Sequence, residues 1–275
     1  MRTLQPLEKP EWLLAFDFDG TLFTPDSQPP VPSDFFKIIK EVRENQQCLW
    51  GINTGRSLMQ TVQGINEARF PFLPDYIIAR EREIYTPNKF GRWLPVKAWN
   101  KGCDKDHKRL FRKNRRLMKQ MRQWIEQETS ATWGEQEGEP AGVIASSAEE
   151  MNRITQWLNQ QLENIPLLEF QRNAIYLRFS HQNYHKGSAL AEVGKLTGIT
   201  PEKTFAIGDG HNDLDMMDVN IASHLACPGN ACPEIKERIS EVGGYIAQGL
   251  AGDGAIEALL HLFAKLDIPI NSSGS

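Results

Sequence analysis

The sequence predicts an α/β fold: a doubly wound parallel-sheet core carrying an inserted α+β unit. Three observations lead there. Short apolar runs alternate with helical periodicity near both ends of the chain, which is how βαβ units read. Between them the alternation gives way to hairpin patterns, and hairpins are antiparallel elements foreign to a doubly wound core. Acidic, glycine-bearing loops follow two of the apolar runs directly, where open α/β sheets bind ligands at strand carboxyl ends.

In chain order, Trp12 to Phe16 is an unbroken apolar run that ends abruptly in acid and glycine, the pattern of a buried parallel strand. A helical pattern follows from Asp34 to Glu44, then a strand at Cys48 to Ile52, a helix at Leu58 to Glu67 and a strand at Tyr76 to Ala79. Glu83 to Thr86 and Arg92 to Val96, joined by a turn at Asn88 to Gly91, form a hairpin and open the second domain. It continues with a basic helix over about Asp104 to Glu128, a strand near Gly142 to Ser146, a helix from Ala148 to Leu162, and a hairpin of Leu167 to Gln171 with Ala174 to Phe179. Alternation resumes with a helix at Gly187 to Leu196, a strand at Thr204 to Ile207, a helix at Asn212 to Met217 and a strand at Asn220 to Ala226. Tyr245 to Ala247 and a helix from Asp253 to Lys265 close the core, and Asn271 to Ser275 is a polar tail expected to be mobile. The core is therefore expected at 1–80 and 181–275, with the insert at 81–180.

Composition narrows the class. With 40% hydrophobic and 24% charged residues, a 275-residue chain has material for a sizeable core plus a smaller unit, which excludes disorder over most of its length. No run reaches the roughly 18 apolar residues of a membrane span, and Met1 to Pro10 has no apolar signal segment, so a cytoplasmic protein without a membrane partner is expected. The net charge of −4 argues against a dedicated nucleic-acid binder. One window differs: Lys101 to Arg122 holds ten Lys and Arg against two Asp. Leu110, Leu117, Met121 and Trp124 lie at helical spacing among those charges, which reads first as a solvated face of an amphipathic helix. Steering of anionic substrates, or docking on an acidic partner, are the functional alternatives. Four cysteines without a C-x-x-C pair, and with no His at zinc-site spacing beside Cys227 or Cys232, read as packing residues. Nothing in the sequence speaks for or against an oligomer.

Four segments carry chemistry. Asp17-Phe18-Asp19-Gly20-Thr21 leaves the first strand with two carboxylates two residues apart, so both can stand at one strand mouth. A hard divalent cation would hold one as an anion beside a phosphoryl oxygen and leave it to attack phosphorus. The other can serve as general acid and then general base. Alone, a D-x-D is by default an acidic turn. Asn53-Thr54-Gly55-Arg56 follows the second strand and offers a hydroxyl and backbone N–H groups near a helix start, a phosphate cradle in this setting and a helix cap in any other. Lys186 opens a helix, where a cation is unfavourable unless an anion is close; by itself it is a surface lysine. Gly208-Asp209-Gly210-His211-Asn212-Asp213 puts two aspartates at i and i+4 beside a strand end, a metal-ligand arrangement; helix capping by Asp209 would account for one acid but not for the flanking glycines. The single loop His211 is given no catalytic role.

Taken together, in this order and strand context, the four segments resemble the haloacid dehalogenase superfamily, with its D-x-D-G-T loop, Ser/Thr, Lys and G-D-x-x-N-D loop. Pro228-Gly229-Asn230-Ala231 and Asp253-Gly254 resemble the late loops of its Cof-type branch, subfamily IIB, which carries an α/β C2 cap between the second and third motifs. The resemblance implies Asp17 as nucleophile and Asp19 as general acid and base. It further implies Thr54, Gly55 and Lys186 as phosphoryl ligands, with Asn212 beside them. Asp17, Asp209 and the carbonyl of Asp19 would hold Mg²⁺, and Asp213 would orient that shell and Lys186. The acid at position 19 is similar to phosphatases and phosphomutases rather than ion pumps or dehalogenases. The chain departs from many Cof-like relatives at Arg80-Glu81, where they carry Asn-Gly. The branch includes sucrose-phosphate and trehalose-phosphate phosphatases and sugar phosphomutases. The resemblance thus implies hydrolysis of a small phosphoester, a sugar phosphate first, through a phospho-aspartyl intermediate. A mutase on the same core is the first alternative, and a regulatory module using the basic helix the second.

Overall fold

The computed structural model describes residues 3–136 and 139–270; the tail expected at 271–275 lies outside them. Along the chain run β1 (Trp12–Phe16), α1 (Ser33–Gln46), β2 (Cys48–Asn53), α2 (Leu58–Glu67), β3 (Tyr76–Ala79), β4 (Glu83–Pro87) and β5 (Trp93–Pro95). Next come α3 (Lys97–Lys113), α4 (Arg115–Glu128), β6 (Thr132–Gln136), β7 (Glu139–Ile144), α5 (Ala148–Leu162), β8 (Leu168–Asn173) and β9 (Tyr176–His181). The chain closes with α6 (Lys186–Thr197), β10 (Thr204–Ile207), a 3₁₀ turn at His211–Met216, β11 (His224–Cys227), α7 (Pro233–Glu241), β12 (Tyr245–Ile246) and α8 (Ala251–Lys265). Among the described residues no helix is long and apolar enough to cross a membrane.

Two compact units form, Met1–Val96 with Lys186–Ser275, and Lys97–His185. The first holds an eight-stranded sheet in the order β12-β11-β10-β1-β2-β3-β4-β5. From β12 to β3 every pairing is parallel, and strand order reverses about β1 as in a doubly wound sheet. All five residues of β1 are buried, as a central parallel strand covered on both faces requires. Phe16 and Trp50 each meet Phe35 of α1 edge to face, at 5.2 and 5.7 Å between ring centroids, which locks α1 onto the sheet.

The division between units differs from the expected breaks at 80 and 181. The β4–β5 hairpin does not open the insert: β4 pairs antiparallel with β3, Ile78 opposite Ile84, and extends the large sheet. Ile84 is buried in that position, and β4 and β5 cover the backbone edge that β3 would otherwise expose.

The second unit is a four-stranded antiparallel sheet, β6-β7-β9-β8, with its core shared by helices α3, α4 and α5. Along β9, Leu177 and Phe179 are buried while Tyr176 is exposed, the alternation of a sheet with one covered face. Trp124 of α4 and Trp157 of α5 stack at 4.0 Å. The expected basic helix is two, because the chain leaves helical geometry at Asn114, whose side chain turns back onto the Leu110 carbonyl. Strand β6 and helix α7 are elements beyond those expected; α7 is short and buries Ile235 and Ile239, one turn apart. Of the strand expected at Asn220 to Ala226 only His224–Cys227 forms, since the Asp218 carboxylate caps the Asn220 N–H and makes a turn there.

Gly51 sits opposite Tyr76 in the β2–β3 register, and a Cβ there would overlap the Tyr76 ring. That ring must stay in place for its hydroxyl to donate to the Leu14 carbonyl at 3.0 Å. Gly51→Ala is therefore expected to lower stability by about 1–3 kcal/mol through overpacking, measured by urea denaturation followed in the near-ultraviolet; an unchanged midpoint would refute the packing account.

Candidate active site

Parallel register brings the functional segments to one edge. Phe16 lies opposite both Ile52 and Ile207, and Ile52 opposite Ile77, so β1, β2, β10 and β3 end side by side. Asp17 continues the ladder, its N–H donating to the Ile207 carbonyl at 2.9 Å. Thr54 and Glu81 are tied to each other across the β2 and β3 ends, the Glu81 N–H donating to the Thr54 carbonyl at 2.9 Å.

At the base of this edge lies Lys186, the first residue of α6, with no accessible side-chain surface. Its Nζ donates to Asp17 Oδ1 and to Asp213 Oδ1, both at 2.6 Å. The second oxygen of Asp213 accepts from the Asp209 and Gly210 N–H groups at 3.0 and 2.8 Å, which holds the acidic loop in a tight turn. Gly208 must be glycine, since a Cβ there would overlap the Asp213 carboxyl group. Gly20 must be glycine for two reasons, a φ of +77° and the Asp209 carboxylate lying where a Cβ would stand. Thr21 Oγ1 donates to Asp209 Oδ1 at 2.9 Å, and the Asn230 amide donates to the Gly20 carbonyl at 2.8 Å.

Burial and charge here conflict. Asp17 is held well above the usual carboxylate range by burial and by the neighbouring Asp213 charge, against the pull of Lys186. Burial and Asp213 also push Asp209 up to about 6. Burial alone would lower Lys186, but Asp17 and Asp213 more than offset it and the ammonium stays charged. Three carboxylates thus share one ammonium in a desolvated pocket. Carboxylate oxygens of Asp17, Asp209 and Asp213 lie within 4.8 Å of one another. An all-oxygen donor set with a deficit of positive charge fits a hard divalent cation such as Mg²⁺.

The Asp19 carboxylate stands apart from this cluster. It forms a two-pronged ion pair with Arg56, at 2.7 Å to Nε and 2.5 Å to Nη2. Arg56 in turn lies over the Phe18 and Phe23 rings, 5.1 Å from each centroid. The Asp19 side chain is 44% exposed against 8% for Asp17, so the two acids of one loop occupy opposite environments. Thr54 Oγ1 accepts from the Arg56 N–H at 3.1 Å, which leaves its own hydrogen to donate. Gly55 lies beside the Asn212 amide and the Glu81 carboxylate, and Asn212 Nδ2 donates to Glu81 Oε1 at 2.9 Å. The sequence-derived site residues thus meet at this edge in two groups: Asp17, Lys186, Asp209 and Asp213 in one hydrogen-bonded cluster, and Thr54, Gly55 and Asn212 around Glu81, with the Asp19 carboxylate linked to Thr54 through Arg56.

Arg56 and Glu81 are members of that neighbourhood which sequence reasoning did not single out as site residues. The signal for Glu81 was the departure at Arg80-Glu81. Both residues have positive φ, +50° and +65°, the conformation that Asn or Gly adopts most easily. At the second of these positions the chain places a buried carboxylate. Within the second unit, Trp99 packs on Tyr184, Arg172 donates to Asn152, and His181 is buried beside His107.

Comparison with known proteins shows the family and the fold. A family model described as haloacid dehalogenase-like hydrolase matches residues 74–251. The phosphoglycolate phosphatase of Methanosarcina acetivorans is 34% identical over 86 residues, 31% of this chain and 34% of that protein. The chain thus spans about a third of the length of the curated relatives it matches. Among solved structures, the sucrose-phosphatase of Synechocystis sp. PCC6803 superposes with a TM-score of 0.69 at 19% identity, covering 94% of this chain and 98% of that one. A subclass IIB sugar phosphatase superposes at 0.58 and 17% identity, covering 91% and 98%. With the family model matching well over half its length, on a sheet that presents these acids at one edge, the chain belongs to the haloacid dehalogenase-like hydrolases.

Proposed function

We propose that the protein is a Mg²⁺-dependent phosphohydrolase of small phosphorylated metabolites, sugar phosphates first, which works through a phospho-aspartyl intermediate on Asp17. The observation that carries this reading is the buried Lys186 ammonium shared by Asp17 and Asp213. It keeps Asp17 in place beside an anion-binding hydroxyl and amide while leaving the cluster short of positive charge. The names of the relatives, phosphoglycolate phosphatase and sucrose-phosphatase, support a small phosphoester and, for the second, a sugar phosphate.

The reaction runs in two displacements. A carboxylate oxygen of Asp17 attacks phosphorus and the bond to the substrate oxygen breaks. Asp19, on the solvent side, gives its proton to that leaving oxygen. Asp19 then takes a proton from water, whose oxygen attacks phosphorus, and the bond to Asp17 breaks to release phosphate. Thr54, the Gly55 N–H, Lys186 and Asn212 hold the phosphoryl oxygens, and positioning with charge stabilisation is most of what phosphoryl transfer asks of a protein. Asp17, Asp209 and the Asp19 carbonyl would hold Mg²⁺, oriented by Asp213, and the ion would neutralise charge on the transferring group. Without substrate Arg56 holds both Asp19 oxygens, and this pairing must open for Asp19 to carry the proton it gives to the leaving oxygen.

A screen of hexose, disaccharide and small organic-acid phosphates is expected to release inorganic phosphate with Mg²⁺ and none after chelation. Interconversion of hexose phosphate isomers without phosphate release would establish a mutase instead. Asp17→Asn is expected to abolish turnover, and Asp19→Asn to lower kcat by about 10²–10⁴-fold, with intact folding checked by circular dichroism. Retained turnover in Asp17→Asn would end the nucleophile assignment.

Lys186→Met separates the structural from the catalytic side. It removes the cation shared by Asp17 and Asp213 and leaves the two acids facing each other, so metal-free protein is expected to lose about 3–5 kcal/mol as well as activity. Equal denaturation midpoints for the two proteins would show that the lysine does not hold the acids.

A further inference from the structure

Among the described residues a second cluster of donor side chains lies beside the acidic one: His211, Cys232 and Glu234, with one donor atom of each within 4.8 Å of the others. We propose that these three residues form a separate site for a thiophilic divalent cation, of the zinc or cobalt(II) type. The proposal stands apart from the phosphatase reading, since it uses none of the residues assigned to that reaction.

The donor chemistry differs from that of the acidic cluster. Imidazole, thiolate and carboxylate together suit Zn²⁺ or Co²⁺, whereas Mg²⁺ prefers oxygen ligands alone. The spacing is close to what coordination needs. His211 Nε2 and Glu234 Oε1 are already 3.4 Å apart, and ligands around a tetrahedral zinc stand about 3.5 Å from one another given bond lengths near 2.0–2.3 Å. All three side chains retain some solvent access, with 28% of His211 and 54% of Glu234 exposed, so an ion can enter and keep a water as fourth ligand.

The site also has a fixed frame. Cys232 caps the N-terminus of α7, Pro233 sets its first turn, and Glu234 follows in that turn. The Cys232 N–H donates to the Asp209 carbonyl at 2.9 Å, which docks the start of α7 against the acidic loop. His211 belongs to that loop, two residues after Asp209. Sequence spacing hides this arrangement, because His211 and Cys232 come together only through β11 and the turn that follows it. An ion bridging them would pin α7 to the loop that carries Asp209 and Asp213. On binding, the metal replaces the thiol proton, which passes to solvent.

The test is a Co²⁺ titration of the full chain with Mg²⁺ at saturation, so that the oxygen-donor cluster is filled and only sulfur ligation gives a thiolate-to-cobalt charge-transfer absorption. One equivalent is expected to saturate the band. Cys232→Ser is expected to abolish it; serine is itself a good helix cap, so α7 stays formed. His211→Gln and Glu234→Gln, both on the surface, are each expected to weaken Co²⁺ binding by about tenfold or more. The proposal is overturned by absence of the band in the unaltered chain. It is equally overturned by unchanged affinity in both His211→Gln and Glu234→Gln, or by a band that survives Cys232→Ser and disappears in Cys227→Ser.

Discussion

The placement of one buried ammonium governs this candidate active-site edge. Lys186 has no exposed surface, and an unpaired lysine in that position would be neutral or the fold would not form. Its charge is retained because Asp17 and Asp213 approach from two different loops, each at 2.6 Å. The pairing therefore joins three segments far apart in the chain: the end of β1, the start of α6 and the turn after β10. Asn53 adds the fourth, its amide donating to the Lys186 carbonyl at 3.1 Å. Neither acid could be left in that environment without the lysine, nor the lysine without the acids, and this mutual dependence makes the geometry rigid.

Around that ion pair the backbone has little freedom. Gly20 and Gly208 stand where any side chain would displace an aspartate carboxyl group, so the close approach of the β1 loop to the β10 loop depends on the missing Cβ of Gly20, and the tight turn of the β10 loop on that of Gly208. Asn230 closes the arrangement from a third side, donating to the Gly20 carbonyl and accepting from the Ala251 N–H at 2.7 Å. The late loops of the chain thus reach this edge through Asn230, whose amide also donates to Asp209 Oδ2 at 3.4 Å.

The core was legible in the sequence where periodicity and strand ends coincided. The apolar run Trp12 to Phe16 has one reading because it is buried on both faces and stops at two acids. The motif residues converge because strand order and parallel register leave their loops no other place. What was not legible depends on tertiary pairing. The β4–β5 hairpin has the same local pattern whether it begins an insert or extends a sheet, and only the partner of β3 decides. The helix break at Asn114 lies in a continuous basic, amphipathic pattern, where one side chain bonding to its own previous turn outweighs periodicity. The Arg56 pairing with Asp19 was hidden because it crosses between loops, and the His211 and Cys232 proximity for the same reason.

Glu81 lies where the sequence departs from the Asn-Gly expected of a Cof-like chain. Two consecutive residues with positive φ cost strain that Asn-Gly would largely avoid, so the substitution has to be supported by what the side chains do. Glu81 is buried, its carboxylate bonds Asn212, and its charge acts on Lys186 in the same direction as Asp17 and Asp213. The edge consequently gathers the carboxylates of Asp17, Glu81, Asp209 and Asp213 near the Lys186 ammonium. A phosphate group approaching such a set is repelled unless positive charge accompanies it. On the proposed phosphatase reading this charge count is the reason a cation would be required, and Glu81 adds to it.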